Sequence, residues 1–262
     1  MVPDMPGAPE PRPRWDIRRL AETDSTNRVV LDLARAGEPE GVVVVADHQT
    51  AGRGRLGRTW EAPPGSSLLV TVLLRPSIPV ADGHLVTIAA ALAAADACAA
   101  VAGIRPGLKW PNDLVVERDG ATRKIAGLLA ESLVAGPTLD AVALGMGLNV
   151  QWPADLPDHL AGIATALNHE AGADVDRDAV LAAWLDCLAD RYDRLTAPGG
   201  TDALLAAYRV ACVTLGRPVR VDLAGETLEG VALEVTREGH LVVDAGGRRT
   251  VTAGDVVHLR AA

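Results

Sequence analysis

The segment Gln49-Thr50-Ala51-Gly52-Arg53-Gly54-Arg55-Leu56-Gly57-Arg58-Thr59-Trp60 constrains the fold of this chain more than any other stretch. It follows the apolar run Val42 to Val45 and spaces arginines with glycines. Gly52-x-Gly54-x-x-Gly57 fits a dinucleotide fingerprint, but that motif must open a helix directly after a strand. Here Pro63-Pro64-Gly65 follows within a few residues, and no helix of any length can continue through it. A protein-kinase glycine loop fails too, because no His-Arg-Asp follows and the chain has no Phe for Asp-Phe-Gly. What remains is a strand that ends in a loop. Arginine offers a planar fork of donors suited to phosphate and carboxylate, and glycine lets the backbone come close to a ligand. The segment therefore reads as a small-molecule anion loop, mobile when empty and ordered when closed, or as a solvated surface loop.

The overall charge narrows the choice. Net charge is −9 and the pI about 5.1, so the basic loop is a local feature and a general polyanion binder is excluded. An Arg-Gly nucleic-acid tether is equally out of place inside a folded acidic chain. Cys98, Cys187 and Cys212 are odd in number and far apart, as in a reducing compartment without a thiolate metal site. The histidines show no zinc spacing. Residues 1–14 are Pro-rich, lack the apolar centre of a signal peptide, and are expected to be a disordered leader. Leu85 to Ala95 is broken by Asp96, too short to span a bilayer, and reads as a buried Ala-rich helix. A cytoplasmic protein with no membrane partner is expected.

Along the chain, Trp15 to Ala21 can form a first strand. Ser25-Thr26-Asn27 then opens a helix in which Val30, Leu33 and Ala34 recur up to Gly37. These three side chains either cap that helix or line a polar site at its N-terminus. Val42 to Val45 and Ser67 to Arg75 are continuous apolar runs, as in central strands. The helix from Leu85 to Val101 follows, and then Leu108 to Val116, a strand interrupted at Pro111. Glu117 to Arg123 is a hairpin, and Leu139 to Val150 is a strand with Gly145 and Gly147 inside it. Those glycines suggest close approach of a ligand or a second backbone. Pro157 to Arg209 is helical. Beyond Gly216, short alternating strands separated by turns such as Ala224-Gly225-Glu226 suggest a small antiparallel barrel.

Five features recur in order: Ser25-Thr26-Asn27, Gln49 with the Arg/Gly loop, Lys109-Trp110-Pro111-Asn112-Asp113, Lys124-Ile125-Ala126-Gly127 and Gly145-Met146-Gly147-Leu148-Asn149. Together they resemble the biotin–protein ligases. The resemblance implies an α+β fold: a mixed-sheet ligase domain like that of class II aminoacyl-tRNA synthetases, residues 15–216, and a C-terminal SH3-like β-barrel, residues 217–262. It implies ATP and biotin as substrates with Mg²⁺, biotinyl-5′-AMP as intermediate, and a lysine of a biotin carboxyl carrier domain of acyl-CoA carboxylases as acceptor.

By the same resemblance, Ser25, Thr26, Asn27 and Gln49 match residues that bind the ureido head of biotin. Gly52, Arg53, Gly54 and Arg55 match the closing loop, Arg58 and Trp60 the phosphate and adenine region, and Lys109 and Asn112 the nucleotide side. Lys124 matches the principal catalytic cation, with Arg55 and Asp113 also catalytic and Asp113 near Mg²⁺ or the incoming lysine. Gly127 lies beside biotin and Asn149 matches an adenine contact; the metal ligands stay open. Many members carry an N-terminal winged helix, whereas about fourteen Pro-rich residues precede the first strand here. The monofunctional type is therefore expected, with no DNA partner, as a monomer or weak homodimer. Leu56 stands where some members have another Arg, which leaves the loop charge in question. A lipoate or octanoyl transferase on a related fold and a non-catalytic biotin or nucleotide sensor are the rival readings.

Overall fold

The computed structural model describes residues 15–223 and 225–259; the leader expected over 1–14 and Ala224 of one expected turn lie outside them. A seven-stranded mixed sheet forms the body. Its strands are β1 (Asp16–Thr23), β2 (Val42–Gln49), β3 (Ser67–Leu74), β4 (Gly107–Lys109), β5 (Asp113–Arg118), β6 (Ala121–Ala135) and β7 (Thr138–Asn149). They lie in the order β1-β2-β3-β7-β6-β5-β4, with β1 and β2 parallel and the remaining neighbours antiparallel.

The apolar runs are explained by burial on both faces of the sheet. On one face Val42 and Val44 of β2, with Leu73, Ala141 and Ala143, pack against Val30, Leu31 and Ala34 of helix α1 (Thr26–Arg35). Val43 and Val45 point the other way, into the main core beneath helices α2 (His84–Ala102), α5 (Arg177–Leu195) and α6 (Gly200–Ala211). Trp184 of α5 is fully buried there and donates to Ala90 O at 3.2 Å. Two short helices, α3 (Asp158–Ala161) and α4 (Leu167–Ala171), fill the helical stretch after β7.

Helix α2 runs past Asp96, and by length and composition alone it could cross a membrane. Its burial in the core accounts for its composition, so burial and not shortness decides that reading. Asp96 is accommodated by Arg105 at 2.6 Å and by Arg191.

Alternate residues of β7 on the α1 face read Ala141, Ala143, Gly145, Gly147. The side chains shrink toward one end of the strand, and there α1 begins. A bare floor is left beside the helix N-terminus, and the site lies on it. The approach the glycines permit is by side chains of this chain: a Cβ at Gly145 would stand 2.1 Å from Asn27 Oδ1 and one at Gly147 2.5 Å from Trp60 Cε2.

The Leu108 to Val116 strand is two strands, β4 and β5, joined through a cis Trp110–Pro111 bond. The expected hairpin between β5 and β6 turns on Asp119 and Gly120, both at positive φ, as a type I′ turn requires. The C-terminal strands β8 (Pro218–Asp222), β9 (Thr227–Val235), β10 (Leu241–Asp244), β11 (Arg248–Val251) and β12 (Asp255–His258) form an antiparallel sheet in the order β11-β10-β9-β8-β12. It shares the main core through Val219, Val221 and Leu241, and Trp110 Nε1 donates to Gly239 O at 2.9 Å.

Candidate active site

Ser25, Thr26 and Asn27 are all nearly buried at the start of α1. Ser25 occupies the N-cap position, yet its side chain makes no capping bond. Gln49, at the end of β2, takes the first helical N–H instead: its Oε1 accepts from Thr26 N at 2.8 Å and Thr26 Oγ1 at 2.9 Å. With its oxygen committed to the helix, Gln49 offers the cleft its Nε2, a donor.

Asn27 is oriented the opposite way. Its Nδ2 donates to Leu129 O at 3.1 Å and to Glu131 Oε2 at 2.8 Å, while Oδ1 lies 2.7 Å from Thr71 Oγ1. Both amide hydrogens are spent within the protein, so the remaining lone pair of Oδ1 is an acceptor. The head of the cleft thus carries a donor, an acceptor and a hydroxyl, and no ionised group among its first four residues.

The other end is cationic. Lys124 of β6 pairs through Nζ with Asp113 Oδ1 at 2.6 Å and stands 5.4 Å from the centre of the Trp60 ring. That ring lies on the paired glycines Gly127 and Gly147 of β6 and β7. The Trp60 Nε1 is buried without a hydrogen-bond partner among the described residues. Arg55 Nη1 reaches Asn112 Oδ1 at 3.4 Å, and Asn112 Nδ2 donates to Leu128 O at 2.5 Å.

Burial lowers the pKa of both Arg55 and Lys109, and Asp113 opposes the shift in each. Burial pushes Asp255 up, but its bond to Arg58 and the nearby lysines outweigh this and hold its carboxyl below the ordinary range. The same bond to Asp255 raises Arg58. Several cations held in a partly desolvated cleft are arranged for an anion of higher charge than one carboxylate.

The Arg/Gly loop closes over this ground as a folded strap. Arg53 bridges to Thr59, Trp60 N donates to Gly52 O at 2.9 Å, and Gly54 N donates to Arg58 O at 2.6 Å. Its arginines reach three separate elements: Arg53 to Glu131 at 3.3 Å, Arg55 to Asn112, and Arg58 to Asp255 of the C-terminal sheet at 2.6 Å. Leu56 caps the tip in the left-handed region (φ 56°) and is exposed.

One cleft therefore gathers Ser25, Thr26, Asn27, Gln49, Arg53, Gly54, Arg55, Arg58, Trp60, Lys109, Asn112, Asp113, Lys124 and Gly127. Gly52 stands behind the lining, where a Cβ would meet Trp60 O at 2.5 Å. Asn149 is not in the lining. It is buried, with Oδ1 accepting from Ser67 Oγ at 3.2 Å and Nδ2 donating to Thr165 O at 2.9 Å. Thr71, Glu131 and Asp255 were missed by sequence reasoning. Thr71 carried one usable signal, a hydroxyl in the middle of the apolar run Leu68 to Leu74, which must find partners when buried.

With this geometry established, comparison with known proteins decides the family. Residues 20–149 match the Biotin/lipoate A/B protein ligase family and residues 214–259 the biotin protein ligase C-terminal domain. The chain is 40% identical to the biotin–[acetyl-CoA-carboxylase] ligase of Mycobacterium tuberculosis, over 92% of this chain and 88% of that one. This chain belongs to the biotin protein ligase family.

The biotin ligase of Paracoccus denitrificans is 32% identical over 90% of this chain and 98% of its own length. Among solved structures, the Aquifex aeolicus biotin protein ligase in complex with biotin and ATP superposes with a TM-score of 0.77 at 25% identity, covering 94% of this chain and 99% of that chain. As a biotin ligase, the present chain activates biotin with ATP and passes it to a carrier protein.

Proposed function

We propose that the neutral head of the cleft holds the ureido ring of biotin and that the cationic end holds its carboxylate against ATP. One observation carries this reading: donor Gln49 Nε2 and acceptor Asn27 Oδ1, each fixed by protein bonds, occupy the same cleft as Lys124, Arg55, Lys109 and Arg58. A cyclic urea presents one acceptor oxygen flanked by N–H donors. An acid without that ring would leave the Gln49 Nε2 donor and the remaining lone pair of Asn27 Oδ1 without partners, which supports rejection of lipoate and octanoate.

In the first half-reaction a biotin carboxylate oxygen attacks the α-phosphorus of ATP and the bond to the β-phosphate bridging oxygen breaks. Biotinyl-5′-AMP and pyrophosphate result. Like charges must approach, so fixed cations supply most of the catalysis, by positioning and charge stabilisation. Lys124 is assigned to the biotin carboxylate and α-phosphate, Arg53 and Arg55 to the mixed anhydride, and Lys109, Arg58 and Asn112 to the nucleotide side. In the second half-reaction the amine of a carrier lysine attacks the acyl carbon, AMP leaves, and the amine loses a proton. Asp113, which lines the cleft, is assigned to this amine as the carboxylate that accepts its proton.

Mg²⁺ enters as part of the ATP substrate, for which phosphate oxygens and one or two carboxylates suffice. Asp113 and Asp255 line the cleft. We assign Asn149 the role of a brace between β7 and the loop before α4, and Trp60 the adenine and biotin-tail region.

The same reading takes the body as a class II synthetase-like α+β domain over 15–216 and the C-terminal sheet as an SH3-like barrel over 217–262. The acceptor is a biotin carboxyl carrier domain of acyl-CoA carboxylases. The unpaired Cys98, Cys187 and Cys212 support a cytoplasmic setting, and the same reading takes the enzyme as a monomer or weak homodimer. Pyrophosphate release measured with biotin, lipoate and octanoate tests the assignment: release with biotin alone supports it, and equal release with octanoate defeats it.

A further inference from the structure

Glu131 of β6 lies outside the residues that line the cleft, yet it touches both the pocket for the ring and the strap that covers it. Its Oε2 accepts from Asn27 Nδ2 at 2.8 Å and lies 3.3 Å from Arg53 Nη2. The side chain of Glu131 is 28% exposed, whereas that of Arg53 is 45% exposed, so the carboxylate is the more confined of the two.

Asn27 could be turned over, exchanging its oxygen and nitrogen, without changing its shape. Three contacts forbid it: Glu131 and Leu129 O demand the NH₂ on their side, and Thr71 supplies a hydroxyl to the oxygen. Of these, only Glu131 also reaches the loop. Turning the amide would set Asn27 Oδ1 against a carboxylate and a carbonyl, acceptor against acceptor.

We propose that Glu131 is a positioning residue for biotin recognition. One carboxylate oxygen fixes Asn27 as an acceptor toward the ureido N–H and anchors Arg53, so that the order of the Arg/Gly loop and the polarity of the head pocket depend on the same atom. The ligand part of this inference rests on the assignment of biotin to the cleft; the hold on Arg53 does not.

Two variants separate the two contacts. Glu131→Gln keeps an oxygen that accepts from Asn27 Nδ2 but loses the charge that holds Arg53. Glu131→Ala loses both. Biotin affinity is read by calorimetry without ATP, and loop order by the rate of tryptic cleavage after Arg53, Arg55 and Arg58 in the free enzyme.

The expected result is a biotin Kd within about threefold of wild type for E131Q and raised at least about tenfold for E131A, the scale of leaving a buried polar group misoriented. Tryptic cleavage of the loop should be several-fold faster in both. Biotin affinity as weak in E131Q as in E131A would overturn the amide-orienting role, and unchanged loop cleavage in both variants would overturn the anchoring role. Should E131A fail to fold, E131Q decides by itself: it must cleave faster at unchanged Kd and unchanged melting temperature. A wild-type enzyme that binds no biotin sinks the assignment of the cleft, whereas a wild type that binds biotin beside an unaltered E131A sinks only the coupling.

Discussion

Lys124→Ala removes the ammonium that stands 2.6 Å from Asp113 and over the Trp60 ring. A unit charge about 4 Å from the charge developing on the α-phosphoryl group contributes about 4 kcal/mol at an effective dielectric of about 20. Asp113 already offsets part of that field. The net loss should resemble the removal of one preorganised group, roughly 2.7–4 kcal/mol or about 10²–10³ in rate. A second consequence follows from the same pair. Without Lys124, the Asp113 carboxylate faces the triphosphate uncompensated and adds repulsion of its own. The double variant Lys124→Ala/Asp113→Asn should therefore form adenylate about tenfold faster than Lys124→Ala alone, although it carries more changes. Single-turnover formation of biotinyl-5′-AMP from labelled ATP measures both. If Lys124→Ala adenylates biotin within about threefold of wild type, or if the double variant is slower than the single one, the assigned electrostatics are wrong.

The head pocket admits an independent test. Gly145→Ala would place a Cβ 2.1 Å from Asn27 Oδ1, on an amide held by three contacts, and should weaken biotin binding more than about tenfold while leaving ATP binding alone, as calorimetry can show. Because burial lowers the Lys109 pKa, its positive charge should be lost on the alkaline side before that of an ordinary lysine. The apparent affinity for ATP should fall with rising pH accordingly, and Lys109→Arg should flatten that limb of a kcat/KM profile.

His258 is held neutral by burial, then by Lys109 and Arg217, with its pKa lowered to about 4. The unfolded chain binds more protons than the folded one between about pH 6.5 and 4, so stability should decline as pH falls through that window. His258→Gln, which can still accept from Thr214, should show a shallower decline in melting temperature over the same range. In the free enzyme, residues 52–58 should be cleaved by trypsin, and biotin with ATP should slow that cleavage; equal rates would argue against a closing strap.

Much of this arrangement was legible in the amino-acid order because local chemistry wrote it there. Val42 to Val45 is buried on both faces and shows unbroken apolarity, and Pro63-Pro64 keeps the Arg/Gly segment from becoming a helix. The hairpin at Asp119-Gly120 likewise announces its turn. What stayed hidden depends on contacts distant in sequence. Thr71 reads as a strand residue until α1 brings Asn27 beside it, and Glu131 reads as a solvated strand charge until Arg53 crosses from the loop. Asp255 belongs to the last strand, and nothing near it in sequence hints at Arg58. Asn149 shows the converse: its place in a motif suggested ligand contact, whereas Ser67 and Thr165 already satisfy its amide. Ser25 reads first as a cap, and only the structure shows its side chain making no capping bond while Gln49 reaches across from β2 to Thr26 N.

The central claim is the polarity of the cleft from one end to the other. It is met most directly by a crystal structure with biotin and a non-hydrolysable ATP analogue. The ureido oxygen should accept from Gln49 Nε2, a ureido N–H should donate to Asn27 Oδ1, and the carboxylate should lie about 3 Å from Lys124 Nζ beneath the Arg/Gly strap. A ring bound with its carboxylate toward Ser25 and its ureido group toward Lys124, or biotin seated away from these residues, would contradict it.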